Sequence, residues 1–349
     1  MAVKFTKPEI NVREKLAELD KPSGIAGEAM LRAETPQEQF NLIGAGRRNL
    51  IINGDFKVSQ RGTYTSTTTL TNTATYYLDR WKFYTFTNTS GTFQHKLDQT
   101  LPDGTVTNTH LHTSTSADMN APLVQLVEDH KAVWGKHFTV SFWYKSNKET
   151  YYNIWNGTSQ IQFLVPNSGG AWKKWEQTYK LKENGAYFRL EFYSHTIDMT
   201  SGSYLELAQV QIELGKVATP FEYRSYGEEL ALCQRYYYKS PSANGYMFTM
   251  TGVGATVGEI QYFPPVTMRT TPTIALLDAS PYWEVHPWNT VGNTSINITS
   301  IHAGHMSSDG HGQLGVFFSA TTGSYVTPAL VRGTNYVIRA DFCSFSAEL

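Results

Sequence analysis

The sequence predicts a mainly β protein with a β-sandwich body, a smaller C-terminal β domain and a short helical N-terminal arm. From Asn49 onward, short segments alternate apolar and polar residues and are separated by loops rich in Thr, Asn, Gly and Ser. No helix pattern separates most of these segments, which favours strands packed as a sandwich. Residues 1–48 differ, because they are charged, poor in aromatic residues and carry helix-capping patterns.

The composition excludes several functional classes. Of 349 residues, 17% are charged, against about 25% in a typical soluble domain, and 21 are Tyr. A net charge of −1 argues against binding to a nucleic-acid backbone, which needs a clear cationic excess. The hydrophobic content argues against disorder, and no apolar run is long enough to span a membrane. The N-terminus lacks the apolar core of a signal peptide, and Cys233 and Cys343 are expected to be buried thiols.

The arm, residues 1–48, is predicted to hold two short helices. Asn11 is a candidate cap for the first, and Thr35 for the second, which ends at Gly44. Neither is long enough to be stable alone in water, so the arm must pack on its own body, a sister subunit or a larger assembly. Four apolar residues are the predicted docking contacts: Val12, Leu16, Leu19 and Phe40.

Residues 49–224 are predicted to form one sandwich of about eight strands. Clear alternation marks strands at 137–142 and at 188–192, where Arg189 and Glu191 point away from the apolar side. Residues 204–213 alternate twice with a change of phase, which predicts a β-bulge near Ala208.

A capping box at Ser225 predicts a helical connector over residues 225–238. Residues 239–349 return to a β pattern and are assigned to the C-terminal β domain. Pro264 and Pro265 exclude a central strand at that point, because proline cannot donate to a ladder.

Several motifs together resemble the jelly-roll modules of bacteriophage virion proteins, which are similar to carbohydrate-binding modules. The motifs cover about residues 49–275 and are these: Asn49–Phe56, Gln60–Gly62, Leu78–Trp81, Val210–Gly215, Thr219–Glu222, Glu229–Tyr237, Phe263–Pro264 and Met268–Pro272. The resemblance implies a jelly-roll sandwich in a tail-fibre type of protein, and it implies that residues 1–48 are a docking segment.

The residues at the start of this region allow a physical interpretation. Asn53–Gly54 favours a tight turn with positive φ. Phe56 is expected to anchor the core from the first strand. Trp81 is expected to fill the core, with an Asp79–Arg80 ion pair at its rim.

Aromatic residues are the candidates for glycan or receptor contact, because their faces stack on sugar rings. In the sandwich they are Trp143, Tyr144, Trp155, Trp172 and Trp175. In the C-terminal domain they are Trp283 and Trp288. The alternatives are burial in the core for the first group and subunit packing for the second.

Signals for metals and catalysis are weaker. Jelly rolls of this kind often hold calcium, to which Asp55 and Glu206 or Glu213 could contribute, but Gln209 and Gln211 replace the paired aspartates common in the family. The histidine cluster, residues 302–311, fits a solvated loop better than a metal site. Carboxylates such as Glu176 and Asp198 show no spacing that selects a catalytic pair. We expect no metal, no cofactor and no enzymatic activity.

These observations predict a phage virion structural protein of tail-fibre or spike type, made in the host cytoplasm and docked by its arm. Its expected partners are other virion proteins, two further copies of itself in a homotrimer, and a host surface glycan; neither nucleic acid nor a membrane is expected. The alternatives are a capsid decoration or tail connector protein, and a glycan-binding module or depolymerase.

Overall fold

The computed structural model describes the chain between Arg48 and Glu348 with internal gaps. The described residues are 48–70, 75–84, 91–115, 121–128, 130–180, 185–193, 201–239, 246–252, 257–262, 264–276, 284–287, 298–302, 306–308, 314–322, 335–339 and 343–348. The predicted N-terminal helices lie outside these ranges. Six predicted contact residues also lie outside them: Val12, Leu16, Leu19, Phe40, Trp283 and Trp288.

The regular structure of the described residues is almost entirely β. The sandwich strands are β1 (Thr68–Thr69), β2 (Thr75–Leu78), β3 (Trp81–Phe83), β4 (Gly91–Thr100), β5 (Val106–Ser114), β6 (Leu123–Val127), β7 (His137–Ser146), β8 (Thr150–Trp155), β9 (Gln160–Val165), β10 (Lys173–Lys180), β11 (Phe188–Tyr193) and β12 (Tyr204–Leu214). A 3-10 helix covers His130–Val133, and the α-helix α1 covers Tyr226–Gln234. The later strands are β13 (Tyr237–Lys239), β14 (Tyr246–Gly252), β15 (Val257–Tyr262), β16 (Thr273–Leu276), β17 (Glu284–Pro287), β18 (Ile298–His302), β19 (Met306–Ser308), β20 (Leu314–Thr322), β21 (Asn335–Arg339) and β22 (Cys343–Ser346).

The first twelve strands form two six-stranded antiparallel sheets. The first sheet has the order β1-β4-β5-β12-β7-β10, and the second has the order β2-β3-β6-β11-β8-β9. Eight consecutive strands, β5 to β12, therefore place β5-β12-β7-β10 opposite β6-β11-β8-β9. This is the strand order of a jelly roll, in which two Greek keys close over one core. The predicted β-sandwich is confirmed, but it has twelve strands rather than about eight, because β1 to β4 widen both sheets.

Alternation along the strands builds the core between the sheets. Phe138, Val140 and Phe142 of β7 point inward and join Leu190 and Phe192 of β11 in one apolar cluster. Both strands lie where the alternation predicts them. Full burial of one such side chain stabilises the fold by about 1.5–3 kcal/mol.

The bulge predicted in β12 is confirmed. The pairing of β12 with β7 shifts register between Ala208 and Gln211, and Gln209 takes a left-handed backbone conformation with φ of 51°. The extra residue lets Leu207 and Val210 both reach the core although the apolar phase changes between them.

The predicted turn at Asn53–Gly54 is present, and Asn53 is the residue that adopts the positive φ (60°). The Asn53 side chain donates to the Val58 carbonyl and accepts from the Val58 backbone amide. Gly54 is needed for close approach, because a Cβ there would lie 2.1 Å from the Val210 carbonyl oxygen. Phe56 is buried as predicted, but it lies in this loop with φ of 55°, before the first strand, so its placement on a strand is wrong.

Trp81 fills the core as predicted, but the Asp79–Arg80 ion pair does not form. Asp79 accepts hydrogen bonds from the Gln60 backbone (2.6 Å) and side chain (2.7 Å). Arg80 adopts a positive φ (70°) in the β2–β3 turn, and its guanidinium reaches Glu348 at 2.8 Å. The Asp79 and Arg80 side chains are both buried rather than at the rim of the core, because Asp79 bonds Gln60 and Arg80 bonds Glu348.

The helical connector begins as predicted. Ser225 caps α1 by accepting from the Glu228 backbone, and the Glu228 carboxylate accepts from the Ser225 backbone at 2.8 Å. Cys233 is buried, and it packs with Ile52 of the N-terminal loop and with Tyr236. The helix is therefore fixed to the sandwich.

Beyond α1, the described strands form two further sheets. One has the order β13-β22-β16, and the other has the order β17-β21-β14-β15-β20-β18 with β19 paired to β20. Pro264 and Pro265 lie outside the strands, as predicted. Within the described ranges, no helix has the length and apolarity to cross a membrane. The domain boundaries at residues 48, 224 and 238 remain predictions.

Candidate functional site

The solvent side of the second sheet carries a continuous set of aromatic and polar side chains, which we call the aromatic face. Alternate residues of β3, β8, β9 and β11 point to the core, so the residues between them point outward. The aromatic face consists of Lys82, Tyr84, Tyr151, Asn153, Trp155, Gln160, Gln162, Tyr187, Arg189, Glu191 and Tyr193.

The floor of the aromatic face is formed by Asn153 and Glu191, which are direct cross-strand partners on β8 and β11. Both are only 3% exposed, although they lie on the outward side of the sheet. The Asn153 Nδ2 atom lies 3.5 Å from Glu191 Oε2 and from Gln160 Oε1. The Asn153 Oδ1 atom is buried without a hydrogen-bond partner. An unfilled buried acceptor of this kind is uncommon and costs about 1–3 kcal/mol.

Arg189 lies at the centre of the aromatic residues. It donates through Nε to Glu191 Oε1 at 2.6 Å, which neutralises its charge. Its guanidinium carbon lies 4.7 Å from the ring centre of Tyr84, 5.6 Å from that of Tyr187 and 6.0 Å from that of Trp155. The Trp155 indole in turn donates to the Tyr187 hydroxyl. These contacts hold three rings in fixed positions around one cation.

Lys82 is the second cation of the aromatic face. Its ammonium lies 5.6 Å from the ring centre of Tyr84 and 5.1 Å from that of Tyr76. No carboxylate of the described residues forms an ion pair with it. Burial lowers the pKa of Lys82, and the nearby Arg189 guanidinium adds to the effect, whereas Glu348 opposes it. Among the described residues of the aromatic face, Lys82 is therefore the cation without a carboxylate in ion-pair contact.

Two tyrosines close the end of the aromatic face near β8. The rings of Tyr151 and Tyr193 stack with centres 4.3 Å apart and planes 21° from parallel. The Tyr193 hydroxyl donates to Glu191 Oε2 at 3.0 Å. Burial first, and then the Glu191 carboxylate, raise the pKa of both phenols. Both hydroxyls thus stay protonated at neutral pH and can donate hydrogen bonds.

The structure separates the tryptophans that the sequence grouped as candidates. Trp155 lies on the aromatic face. Trp143 points outward from the first sheet, on the opposite side of the sandwich. Trp175 and Tyr144 point toward the core, which is the alternative left open for them, because β10 pairs Trp175 with the inward Phe142. Trp172 is half-buried in the loop before β10.

Trp143 lies in a groove of about 490 Å³ on the first sheet, which we call the first-sheet groove. Its side chains come from β7, β10, β12, the β4–β5 loop and the segment after β12. They are Asp103, Thr105, Ser141, Phe142, Trp143, Lys174, Gln209, Ala218, Thr219, Pro220, Phe221 and Tyr223.

The carboxylates considered for calcium have other partners. Glu206 accepts from Lys96 (3.0 Å) and Thr109 (2.7 Å), and Glu213 accepts twice from Thr219. Asp55 pairs with Lys57 at 3.0 Å. Across the described ranges, no three His, Cys, Asp or Glu side chains converge on a point that could hold a metal. In the predicted histidine cluster, 303–305 and 309–313 lie outside those ranges.

Comparisons with known proteins give structural similarities only. No family model matches the sequence, and no curated protein matches it. A tailspike domain of bacteriophage CBA120 is similar over 48% of this chain and 21% of that chain, with 16% identity and a TM-score of 0.31. The chain thus spans about a fifth of the tailspike's length.

Two carbohydrate-binding domains are similar over most or all of their own length. A xylan-binding domain from Paenibacillus barcinonensis matches over 50% of this chain and 100% of that chain, with 12% identity and a TM-score of 0.31. A family 11 carbohydrate-binding module from Clostridium thermocellum, solved with a tetrasaccharide, matches over 42% and 94%, with 16% identity and a TM-score of 0.27. The jelly roll itself is established by the strand order of this chain.

The sequence predicts one aromatic residue of the aromatic face, Trp155, but not its polar centre. The signal was partly visible, because Arg189 and Glu191 interrupt an apolar strand on its outward side. The sequence does not show that Arg189 and Glu191 lie close to Asn153 of β8 and to Tyr84, which follows β3, because these residues meet only through the sheet order.

Proposed function

We propose that the jelly roll binds a glycan on the aromatic face. The observation that carries the proposal is the cluster of three aromatic rings, Tyr84, Trp155 and Tyr187, held around the Arg189 guanidinium on the outward side of the second sheet. The fixed rings of Tyr84 and Trp155 supply flat faces on which pyranose rings stack, with amphipathic character suited to a half-wet ligand.

The charge of the aromatic face indicates which class of glycan it would bind. Arg189 and Glu191 neutralise each other, so the described residues of the aromatic face carry one net positive charge, that of Lys82. A partly buried cation beside aromatic rings favours an anionic partner, because the low local dielectric strengthens the attraction. The proposed ligand is therefore a glycan that carries a carboxylate or another acidic group.

Titration of acidic and neutral oligosaccharides into the full chain tests this proposal. We expect saturable binding of acidic oligosaccharides, with at least about a tenfold loss of affinity in Trp155→Ala and in Tyr84→Ala. Trp172→Ala is the matched control, because Trp172 is half-buried outside the aromatic face. Equal affinity in all four proteins would refute the site.

We propose that binding occurs without cleavage. Glycoside hydrolysis needs two carboxylates about 5–10 Å apart across the bond. On the aromatic face of the described residues, Glu191 is the one carboxylate, and it is committed to Arg189 and Tyr193. Release of reducing ends from any bound glycan, lost in Glu191→Gln, would contradict this.

We further propose that the module serves a phage virion structural protein of tail-fibre or spike type. The support is the set of sequence motifs over residues 49–275. Deleting residues 1–47 should leave the sandwich folded but abolish incorporation into particles. Measurement of the molecular mass of the full chain in solution should give a trimer. Normal incorporation of the truncated chain would contradict the docking role. High copy number on capsid faces would favour a decoration protein instead.

A further inference from the structure

The first-sheet groove is bounded by a segment that the outward side chains of β12 hold in place. The segment runs over residues 216–224, directly after β12. The Glu213 carboxylate accepts from the Thr219 backbone at 2.8 Å, and the Gln211 side chain accepts from the Glu222 backbone at 2.9 Å. Side-chain to backbone bonds of this kind make the segment a fixed wall beside the sheet.

Aromatic rings line both the floor and the wall of the groove. Trp143 extends from the sheet between its cross-strand partners Ala208 and Lys174 and lines the groove. Phe221 and Tyr223 form an edge-to-face pair on the wall, with ring centres 5.0 Å apart. Tyr223 is 51% exposed, which is high for a large aromatic side chain.

The charged side chains that line the groove, Asp103 and Lys174, have opposite signs. Asp103 accepts from the Thr105 backbone at 3.0 Å and from its hydroxyl. Burial disfavours its charged form, but these bonds and the Lys174 ammonium outweigh burial and lower the pKa of Asp103. Lys174 also pairs with the exposed Glu176 at 2.6 Å. The groove thus has no excess of positive charge to attract an anion.

We propose that the first-sheet groove is a second saccharide site, which takes a neutral oligosaccharide. Trp143 would stack on one sugar ring, Asp103 would accept from hydroxyls, and Lys174 and the Tyr223 hydroxyl would donate to them. The volume, about 490 Å³, lies within the range of small-ligand sites. The aromatic face belongs to the other sheet, so the two sites lie on opposite sides of the sandwich and can be filled together.

Fluorine NMR of the full chain labelled with 5-fluorotryptophan tests the proposal site by site. The Trp143 and Trp155 signals are assigned from their Trp→Phe variants. The probes are neutral linear tetrasaccharides of β-1,4-linked glucose, xylose or galactose, together with an acidic oligosaccharide. We expect at least one neutral probe to shift the Trp143 signal saturably, while the acidic probe shifts the Trp155 signal.

The variant Asp103→Asn, at an exposed loop position, should weaken the affinity for the neutral probe by about tenfold. Trp172→Phe, with a normal Trp143 titration, is the control. If none of the neutral probes shifts the Trp143 signal at a concentration of about 10 mM, the proposal of a second site is wrong. An equal titration in Asp103→Asn would overturn it too. An unmoved Trp155 signal would instead count against the proposed function, so the two failures are distinguishable.

Discussion

His95 and His110 lie directly opposite each other on β4 and β5, within a core whose neighbouring rings are phenylalanines. The ring centre of His110 is 5.6 Å from that of Phe83, and neither of its ring nitrogens has a hydrogen-bond partner. Burial, and then the neighbouring histidines, lower the pKa of His110; burial also lowers that of His95, against a backbone bond to Phe56. Both imidazoles are therefore neutral in the folded protein.

The histidines make the sandwich sensitive to acid. A base whose pKa is lower folded than unfolded binds protons preferentially in the unfolded chain, so stability falls as pH drops below about 6.5. Each histidine contributes up to about 1.4 kcal/mol per pH unit. We expect the urea-derived free energy of unfolding to fall from pH 7 to pH 5, with a shallower fall in His110→Phe.

Asp79 opposes this trend, because burial raises its pKa to about 6, and its contribution to stability is lost as pH rises toward that value. Comparing slopes between wild type and variant cancels the Asp79 effect. Phe93→Leu, a core substitution that removes no titratable group, is the control and should keep the wild-type slope. An unchanged slope in His110→Phe would contradict the assignment.

Glu348 forms ion pairs with two arginines of the sandwich, Arg80 at 2.8 Å and Arg61 at 2.7 Å. The Arg80 side chain is 1% exposed, and its guanidinium stacks 3.5 Å from the ring centre of Tyr236. Glu348→Ala would leave a buried cation uncompensated, so we expect a loss of about 3–5 kcal/mol in unfolding free energy. Urea titration measures it.

The matched control is Glu176→Ala, which breaks the exposed Lys174–Glu176 pair and should cost under about 1 kcal/mol. Equal losses in the two variants would show that the buried position of Arg80 does not matter.

Gly54 is predicted to be irreplaceable at its contact with β12. A Cβ would overlap the Val210 carbonyl, while the Val210 amide donates to Gly54 O at 2.8 Å. Gly54→Ala should cost about 3 kcal/mol, at the upper end for overpacking, and should speed hydrogen exchange at the Val210 amide. Gly104→Ala, with a positive φ and no atom near its Cβ, should cost about 1–2 kcal/mol of strain and leave that amide protected.

Lys82 is predicted to set the charge preference of the aromatic face. Lys82→Met keeps the aliphatic stem and removes the charge. We expect about a tenfold weaker affinity for acidic oligosaccharides and a smaller dependence of affinity on salt. Calorimetric titration at low and high salt measures both, with the exposed Lys148→Met as control. Unchanged salt dependence in Lys82→Met would place the anion elsewhere.

Local pattern predicted much of the fold. The alternation of β7 and β11, the bulge at Ala208 and the capping box at Ser225 were all readable, because each depends on residues close in sequence. Phe56 was placed in the core correctly, but its loop conformation depends on Asn53 bonding Val58, which no periodicity records.

The candidate site was less predictable, because strand order determines which side chains meet. Trp143 and Trp155 look alike in the sequence, yet the sheets place them on opposite faces. The ion pair of Arg80 was misassigned to its neighbour Asp79 because its true partner, Glu348, is 268 residues away.

That separation has a consequence for how the chain acquires its structure during synthesis. At about 5–20 residues per second, roughly 13–54 s pass between translation of Arg80 and translation of Glu348. During that interval the sandwich strands are already available to pair, but Arg80 lacks the carboxylate that neutralises it. The nascent sandwich must keep this cation hydrated or hold it against Tyr236 until the last strand arrives, so its final compaction follows the β22 segment in time.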